Sequence, residues 1–109
     1  MNQSKHLTTF YEKAANDKNI NPSHISLYMA IFQVWKCNQY KNPVSINRNE
    51  LMSSSKINSK ATYHKCMKKL HALGYIIYQP SFNPFKGSNV IIETLQDIAV
   101  EIQKDKQNK

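Results

Sequence analysis

The clearest alternation of apolar and polar positions lies between Ser59 and Gly74. One set of apolar residues recurs there at the i, i+3, i+4, i+7 spacing that places side chains on a single helix face: Tyr63, Cys66, Met67, Leu70 and Leu73. The opposite face has no acid and carries small or cationic residues: Ala61, His64, Lys65 and Lys68, with Lys60 and Lys69 at its edges. Ser59 is a favourable N-cap, and Gly74 is favourable just past a helix end. The pattern predicts a helix over 59–73 with one buried side and one charged side.

Helical spacing also predicts three further helices, over 4–16, 23–39 and 95–104. The stripe of the first consists of Leu7, Phe10, Tyr11 and Ala14. The second is apolar around most of its circumference, so we expect a buried scaffold, part of which can serve as a dimer interface. A short helix over 47–54 begins at Asn47, with Glu50 three positions later as in a capping box.

Three stretches change to the β-branched and aromatic composition of strands: 44–46, 75–79 and 89–94. The last two flank the loop 81–88, which contains Pro84 and Gly87, so they form a hairpin. The predicted fold class is α+β, mainly α with a small β-hairpin, in a single domain over 1–109.

The net charge of +8 is concentrated in the middle of the chain. Residues 41–86 contain seven lysines and Arg48 against one acid, Glu50. A solvated basic face is the plain alternative for any run of charge. Because the excess coincides with the cationic helix, the distribution favours a polyanionic partner such as nucleic acid.

Other classes of function lack their sequence signals. The chain has no apolar run of membrane-spanning length, and its first residues lack the apolar core of a signal peptide, so we expect a cytoplasmic protein without a membrane partner. We expect Cys37 and Cys66 to be small buried hydrophobes, the alternatives being a disulfide or a metal site, since no CxxC or Cys/His cluster exists. There is no Gly-rich phosphate loop and no pair of carboxylates in a shared pattern. We therefore expect no enzyme activity, no cofactor, no metal and no small-molecule substrate.

The order helix, strand, helix, turn, helix, hairpin resembles the winged helix-turn-helix family of DNA-binding proteins. The resemblance covers about 22–94 and is carried by five segments: VSI (44–46), NRNELM (47–52), SKIN (55–58), the helix that runs into the first wing strand (59–76) and the loop SFNPFKGS (81–88). The run L-x-x-L-G-Y-I from Leu70 to Ile76 is typical of the passage from recognition helix to wing. Within that family, the chain resembles small winged-helix proteins of bacterial mobile elements and N-terminal winged-helix domains of replication-initiation proteins. The helices at 4–16 and 95–104 would then be flanking arms.

The resemblance implies that helix 59–73 lies in the major groove with its N-terminal residues nearest the bases. Carried onto this chain, the DNA-facing residues of that helix are Ser59, Lys60, Ala61, Thr62, His64, Lys65 and Lys68. Outside it, the candidates for phosphate contacts are Arg48, Asn49 and Lys56, and at the tip of the wing Lys86 suits the minor groove or the flanking backbone. The candidate base readers are Lys60, Ala61, His64 and Lys65. For His64 a solvated position is an equal alternative, and Thr62 can instead bond back to its own helix.

We therefore expect a double-stranded-DNA-binding protein that regulates transcription as a homodimer formed through its N-terminal and C-terminal helices. The alternative is a protein-binding winged-helix adaptor, or an accessory factor in the replication or recombination of a mobile element. RNA or single-strand binding is disfavoured, because no predicted sheet face carries a set of stacking aromatics.

Overall fold

The structure is a computed structural model that describes residues 3–81 and 87–93. These ranges contain four helices: α1 (Gln3–Ala15), α2 (Pro22–Cys37), α3 (Arg48–Ser55) and α4 (Lys60–Ala72). They also contain three short strands, which form one antiparallel sheet: β1 (Val44–Ser45), β2 (Ile77–Gln79) and β3 (Asn89–Ile91). The predicted α+β class, mostly helical with a small sheet, is confirmed. None of the described helices has the length and apolar character needed to cross a membrane.

The chain divides into two compact units, of which one spans Asn21–Ile92 and contains every element from α2 to β3. The first helix, α1, belongs to the other unit, and the predicted helix 95–104 lies outside the described residues. The organisation as one domain with flanking arms stays a prediction.

The buried side of α1 differs from the predicted stripe. His6, Phe10 and Ala14 are buried at a strict four-residue spacing, whereas Tyr11 is 68% exposed and Leu7 is half-buried. The predicted stripe is therefore correct at Phe10 and Ala14 and wrong at Tyr11, because the buried side of the helix includes His6.

Helix α2 is the scaffold of the unit Asn21–Ile92, as its broad apolar surface predicted. It packs against both α3 and α4. Its largest side chains have at most 1% of their surface exposed: Leu27, Tyr28, Ile31, Phe32 and Trp35. Its aromatic residues also extend the core past the helix end, because the rings of Trp35 and Tyr40 meet edge to face with centroids 5.1 Å apart. Aromatic packing of this kind is core structure.

The start of α2 is fixed by a reciprocal cap that the sequence pattern did not reveal. Asn21 Oδ1 accepts the backbone N–H of His24 at 3.1 Å, and His24 Nδ1 accepts the backbone N–H of Asn21 at 3.0 Å. Pro22 follows as the first helical residue. A histidine thus takes the place of the Glu or Gln of the usual capping box.

In the sheet, β3 lies between the other two strands. The order is β1-β3-β2, with Val90 opposite both Val44 and Tyr78. The predicted hairpin of β2 and β3 is confirmed, and the 44–46 stretch adds a third strand to it. Just beyond the paired residues, the Asn42 side chain continues the ladder: its Nδ2 donates to the Ile92 carbonyl at 2.8 Å and its Oδ1 accepts the Ile92 N–H at 3.1 Å.

Candidate nucleic-acid interface

One side of α4 is held in the core. Tyr63, Cys66, Met67 and Leu70 are at most 3% exposed, and Leu73, at the end of the helix, is half-buried. The helix contacts both α2 and β2. The predicted buried stripe is confirmed, and its burial determines which side of α4 faces outward.

The outward side of α4 carries the residues that the resemblance implies for DNA. Six of them are exposed: the N-cap Ser59 and the helical residues Lys60, Ala61, Thr62, Lys65 and Lys68. His64 is half-buried, and its ring meets the edge of Tyr63 with centroids 5.2 Å apart and planes at 78°. His64 therefore remains partly exposed beside Tyr63. The side is therefore one continuous surface of cations, small side chains and one imidazole.

The N-terminus of α4 is capped by Ser59, as predicted. Its Oγ accepts the N–H of Thr62 at 3.3 Å, and its carbonyl accepts the N–H of Tyr63 at 2.9 Å. Among the residues described here, the N–H groups of Lys60 and Ala61, in the first turn of α4, have no hydrogen-bond partner. An anion at this end would therefore meet two backbone donors and the Lys60 ammonium together.

The first turn of α3 adds a further cation. Asn47 caps the helix by accepting the N–H of Glu50 at 3.1 Å, which leaves Arg48 and Asn49 exposed. Burial and the neighbouring Tyr78 raise the pKa of Tyr63 to about 12, while the positive charge of Arg48 opposes this rise. The charge of Arg48 therefore acts on the phenol of Tyr63, which belongs to the buried side of α4.

Lys56 lies in the short turn between α3 and α4 and is exposed. Its backbone is left-handed, with φ 64° and ψ 28°. The turn itself is anchored, because Ile57 is buried and the hydroxyl of Ser26 on α2 donates to the carbonyl of Ser55. Lys56 thus projects a charge from a fixed backbone position next to the start of α4.

The far end of α4 is tied to the sheet by His71, whose role sequence reasoning missed. Its Nδ1 accepts the backbone N–H of Tyr78 in β2 at 3.0 Å. The bond positions β2 against the end of α4. No local pattern signals this bond, because its donor is the main chain of a residue in the next element.

The loop after β2 returns to the sheet by Gly87. A Cβ at Gly87 would stand 3.0 Å from the Ile46 carbonyl oxygen, and the N–H of Ile46 donates to the Ser88 carbonyl at 3.0 Å. Gly87 therefore allows a close approach between its own backbone and that of Ile46. Lys86, the predicted wing-tip cation, lies outside the described residues.

The charge of the chain belongs to the unit that contains this site. Residues 21–92 contain nine lysine and arginine side chains against one acid, Glu50, and so account for the whole net charge of +8.

Among the described residues, no three His, Cys, Asp or Glu side chains come together as a metal site. Of the two cysteines, Cys66 is buried as predicted, whereas Cys37 is exposed because it is the last residue of α2.

Comparisons with protein-family models, with curated proteins and with solved structures find no match to this chain. The chemistry of the site is therefore the basis for a functional proposal.

Proposed function

We propose that this chain is a double-stranded-DNA-binding protein of the winged helix-turn-helix type. It inserts α4 into the major groove and touches the flanking DNA with the loop 81–88. It regulates transcription from the cytoplasm as a homodimer. The observation that carries the proposal is the outward side of α4, which carries cations and small residues but no acid, in a unit that holds the entire charge excess of the chain.

The element order supports the architecture named in the proposal. Two helices joined by a four-residue connection, α3 and α4, are followed directly by the antiparallel strands β2 and β3. In a winged helix-turn-helix protein the second helix of such a pair reads the groove and the first crosses the backbone. The hydrogen bond from Tyr78 to His71 would hold the wing strand against the reading helix.

The chemistry of the outward side suits a duplex. Lys60 and Lys65 reach either guanine acceptors or phosphates, and the Ala61 methyl allows the backbone to approach and can meet a thymine methyl. Arg48 at the start of α3 and Lys56 in the turn supply charge for phosphates. Since α4 presents no Arg, Asn or Gln, we expect sequence preference to be modest and to depend in part on DNA shape.

The alternative, a protein-binding adaptor, has less support. It would use the broad apolar surface of the second helix and the surfaces of the two terminal helices, but the large apolar residues of the second helix are buried within the unit Asn21–Ile92. Among the described residues, Tyr11 on α1 is the one large hydrophobic side chain that is exposed. A single exposed tyrosine is a small basis for a docking surface.

The proposal is tested by selecting bound duplexes from a random pool at low salt and measuring the mass of the protein in solution. We expect binding that weakens steeply as salt is raised, because contacts to phosphate release counterions. A palindromic consensus with half-sites about one helical turn apart would support a homodimer. Absence of duplex binding even at low salt would refute the proposal and favour the protein-binding adaptor instead.

A further inference from the structure

The imidazole of His71 is held in one tautomer by the backbone of the strand that follows α4. Its Nδ1 accepts the N–H of Tyr78 in β2 at 3.0 Å. A ring nitrogen that accepts a hydrogen bond holds no proton, so the neutral ring carries its proton on Nε2. The bond to the strand therefore makes Nε2 a hydrogen-bond donor.

This donor lies on an exposed side chain whose ring is fixed at two points. His71 belongs to the last turn of α4 and is exposed. The helix holds the ring through Cβ, and the main chain of Tyr78 holds it through Nδ1. A side chain fixed in this way loses little conformational freedom when its other nitrogen binds a ligand. The ring is thus already oriented for a hydrogen-bond acceptor at Nε2.

The edge of α4 that contains His71 selects for an acceptor with negative charge. Lys60, His64, Lys68 and His71 follow one another at spacings of four, four and three residues, which places them in one row along the helix. Lys60 and Lys68 are exposed, and α4 contains no acid. A group that approaches this row meets positive charge beside the Nε2–H donor, so an anionic oxygen is favoured over a neutral one.

The position of His71 along α4 suits the sugar-phosphate backbone of DNA. At a rise of 1.5 Å per residue, His71 lies about 16 Å from Lys60 along the helix axis. The major groove is only about 8.5 Å deep. When the first residues of α4 are nearest the bases, we therefore expect its last turn to lie at the level of the phosphates that line the groove.

We propose that His71 binds a phosphate of the duplex through Nε2–H, as an uncharged donor oriented by the main chain of β2. This inference rests on the proposed function and adds to it a contact made without charge. The same ring then holds the wing strand on one side and the DNA backbone on the other. Because a neutral donor neutralises no phosphate, it releases no counterion, and its contribution to affinity is independent of salt.

Two substitutions separate the roles of the two ring nitrogens. In His71→Asn the side-chain amide lies near the place of Nδ1, so it can still accept the N–H of Tyr78, but it does not reach the place of Nε2. In His71→Gln the longer side chain puts an amide N–H near the place of Nε2, and the acceptor for Tyr78 is lost. The matched removal of a charge is Lys68→Ala, three residues earlier in the same row.

All variants are prepared in the full chain and assayed at about pH 8, where an ordinary imidazole is neutral. Melting temperature is measured by circular dichroism. Affinity is measured by fluorescence anisotropy on a labelled duplex of random sequence over a salt series.

We expect His71→Asn to weaken binding by about 10-fold at every salt concentration, with Tm and the salt slope unchanged, because one hydrogen bond to a charged acceptor is lost. His71→Gln should bind within about 2-fold of the unsubstituted chain but lower Tm by about 4 °C, because one hydrogen bond to the strand backbone is lost. Lys68→Ala should instead reduce the salt slope by about 0.9.

The outcomes separate this inference from the function on which it rests. If the unsubstituted chain binds no duplex, both are refuted. If it binds and His71→Asn binds equally well, the proposed function stands and the phosphate contact is refuted. If both variants of His71 lose affinity in proportion to their loss of Tm, the ring acts on the fold alone and the inference is overturned. A salt slope that falls in His71→Asn as it does in Lys68→Ala would mean that the ring acts as a charge, which contradicts an uncharged donor.

Discussion

The sharpest test of the α4 surface is the double substitution Lys60→Ala with Lys65→Ala. Both lysines are exposed on the outward side of α4, and neither takes part in the buried stripe. Alanine has the best helix propensity, so the helix should remain formed and the change is confined to two charges. A loss of binding in this variant would therefore report on the surface, with folding unaffected.

The expected magnitude follows from the release of counterions. Each lysine that neutralises a phosphate contributes about 0.9 to the slope of log affinity against log salt. Removing two contacts reduces the slope by about 1.8, which corresponds to a loss of about 60-fold in affinity at 0.1 M salt and to almost no loss near 1 M. If one of the two lysines reads a guanine instead, the loss at high salt persists for duplexes that contain that base.

The assay is fluorescence anisotropy on a labelled duplex over a salt series, with circular dichroism as a check on folding. The matched control is Lys36→Ala with Lys41→Ala, which removes the same charge from the unit Asn21–Ile92 but from neither α3 nor α4. We expect the control to retain most of the affinity and the full slope. Equal losses in the two double variants would mean that net charge alone attracts the duplex, and the reasoning from the α4 face would be refuted.

Three further predictions concern the fold and its titratable groups. Asn42→Ala should lower the free energy of unfolding by about 2 kcal/mol in a urea titration, because two hydrogen bonds to the Ile92 backbone are lost; an unchanged midpoint would contradict this role. Cys37 should react quickly with a thiol reagent in the native protein and Cys66 only after unfolding, since burial raises the pKa of the Cys66 thiol against a smaller opposing effect of Lys65. Burial lowers the pKa of His6 from 6.5, so the unfolded chain takes up its proton first as the pH falls. The contribution of the neutral ring to stability should be full above about pH 6.5 and should be lost as the pH falls toward the pKa of the folded state. His6→Gln should therefore flatten the dependence on pH of the free energy of unfolding, measured by urea titration at each pH.

The helices around the site could be predicted from the sequence because their signals are local. The predicted helix 47–54 became α3 (Arg48–Ser55), and its cap at Asn47 is the one observed. For α4 the cap at Ser59 and the stop at Gly74 were both correct. An N-cap donor and acceptor lie three residues apart, so the chemistry is visible in a short window of sequence.

The features that sequence reasoning missed depend on partners far along the chain. Asn42 bonds to Ile92, fifty residues away, and β1 pairs with β3 across the whole α3–α4 segment. The bond from Tyr78 to His71 joins two elements through main chain, which any residue type would offer. Such contacts are determined by how the elements pack, so they cannot be predicted from composition or periodicity.

Different constraints determine the residues on the two sides of α4. On the inner side, Met67 and Leu70 are completely buried, so packing against the rest of the unit accounts for their identity. On the outer side packing imposes almost nothing, and any polar residue with good helix propensity would satisfy the fold. A purely structural surface of this kind normally mixes both signs of charge, since pairs of opposite charge along a helix add stability and like charges repel. The outer side of α4 instead places Lys65, Lys68 and Lys69 together without an acid, an arrangement that opposes folding slightly and is relieved by a polyanion.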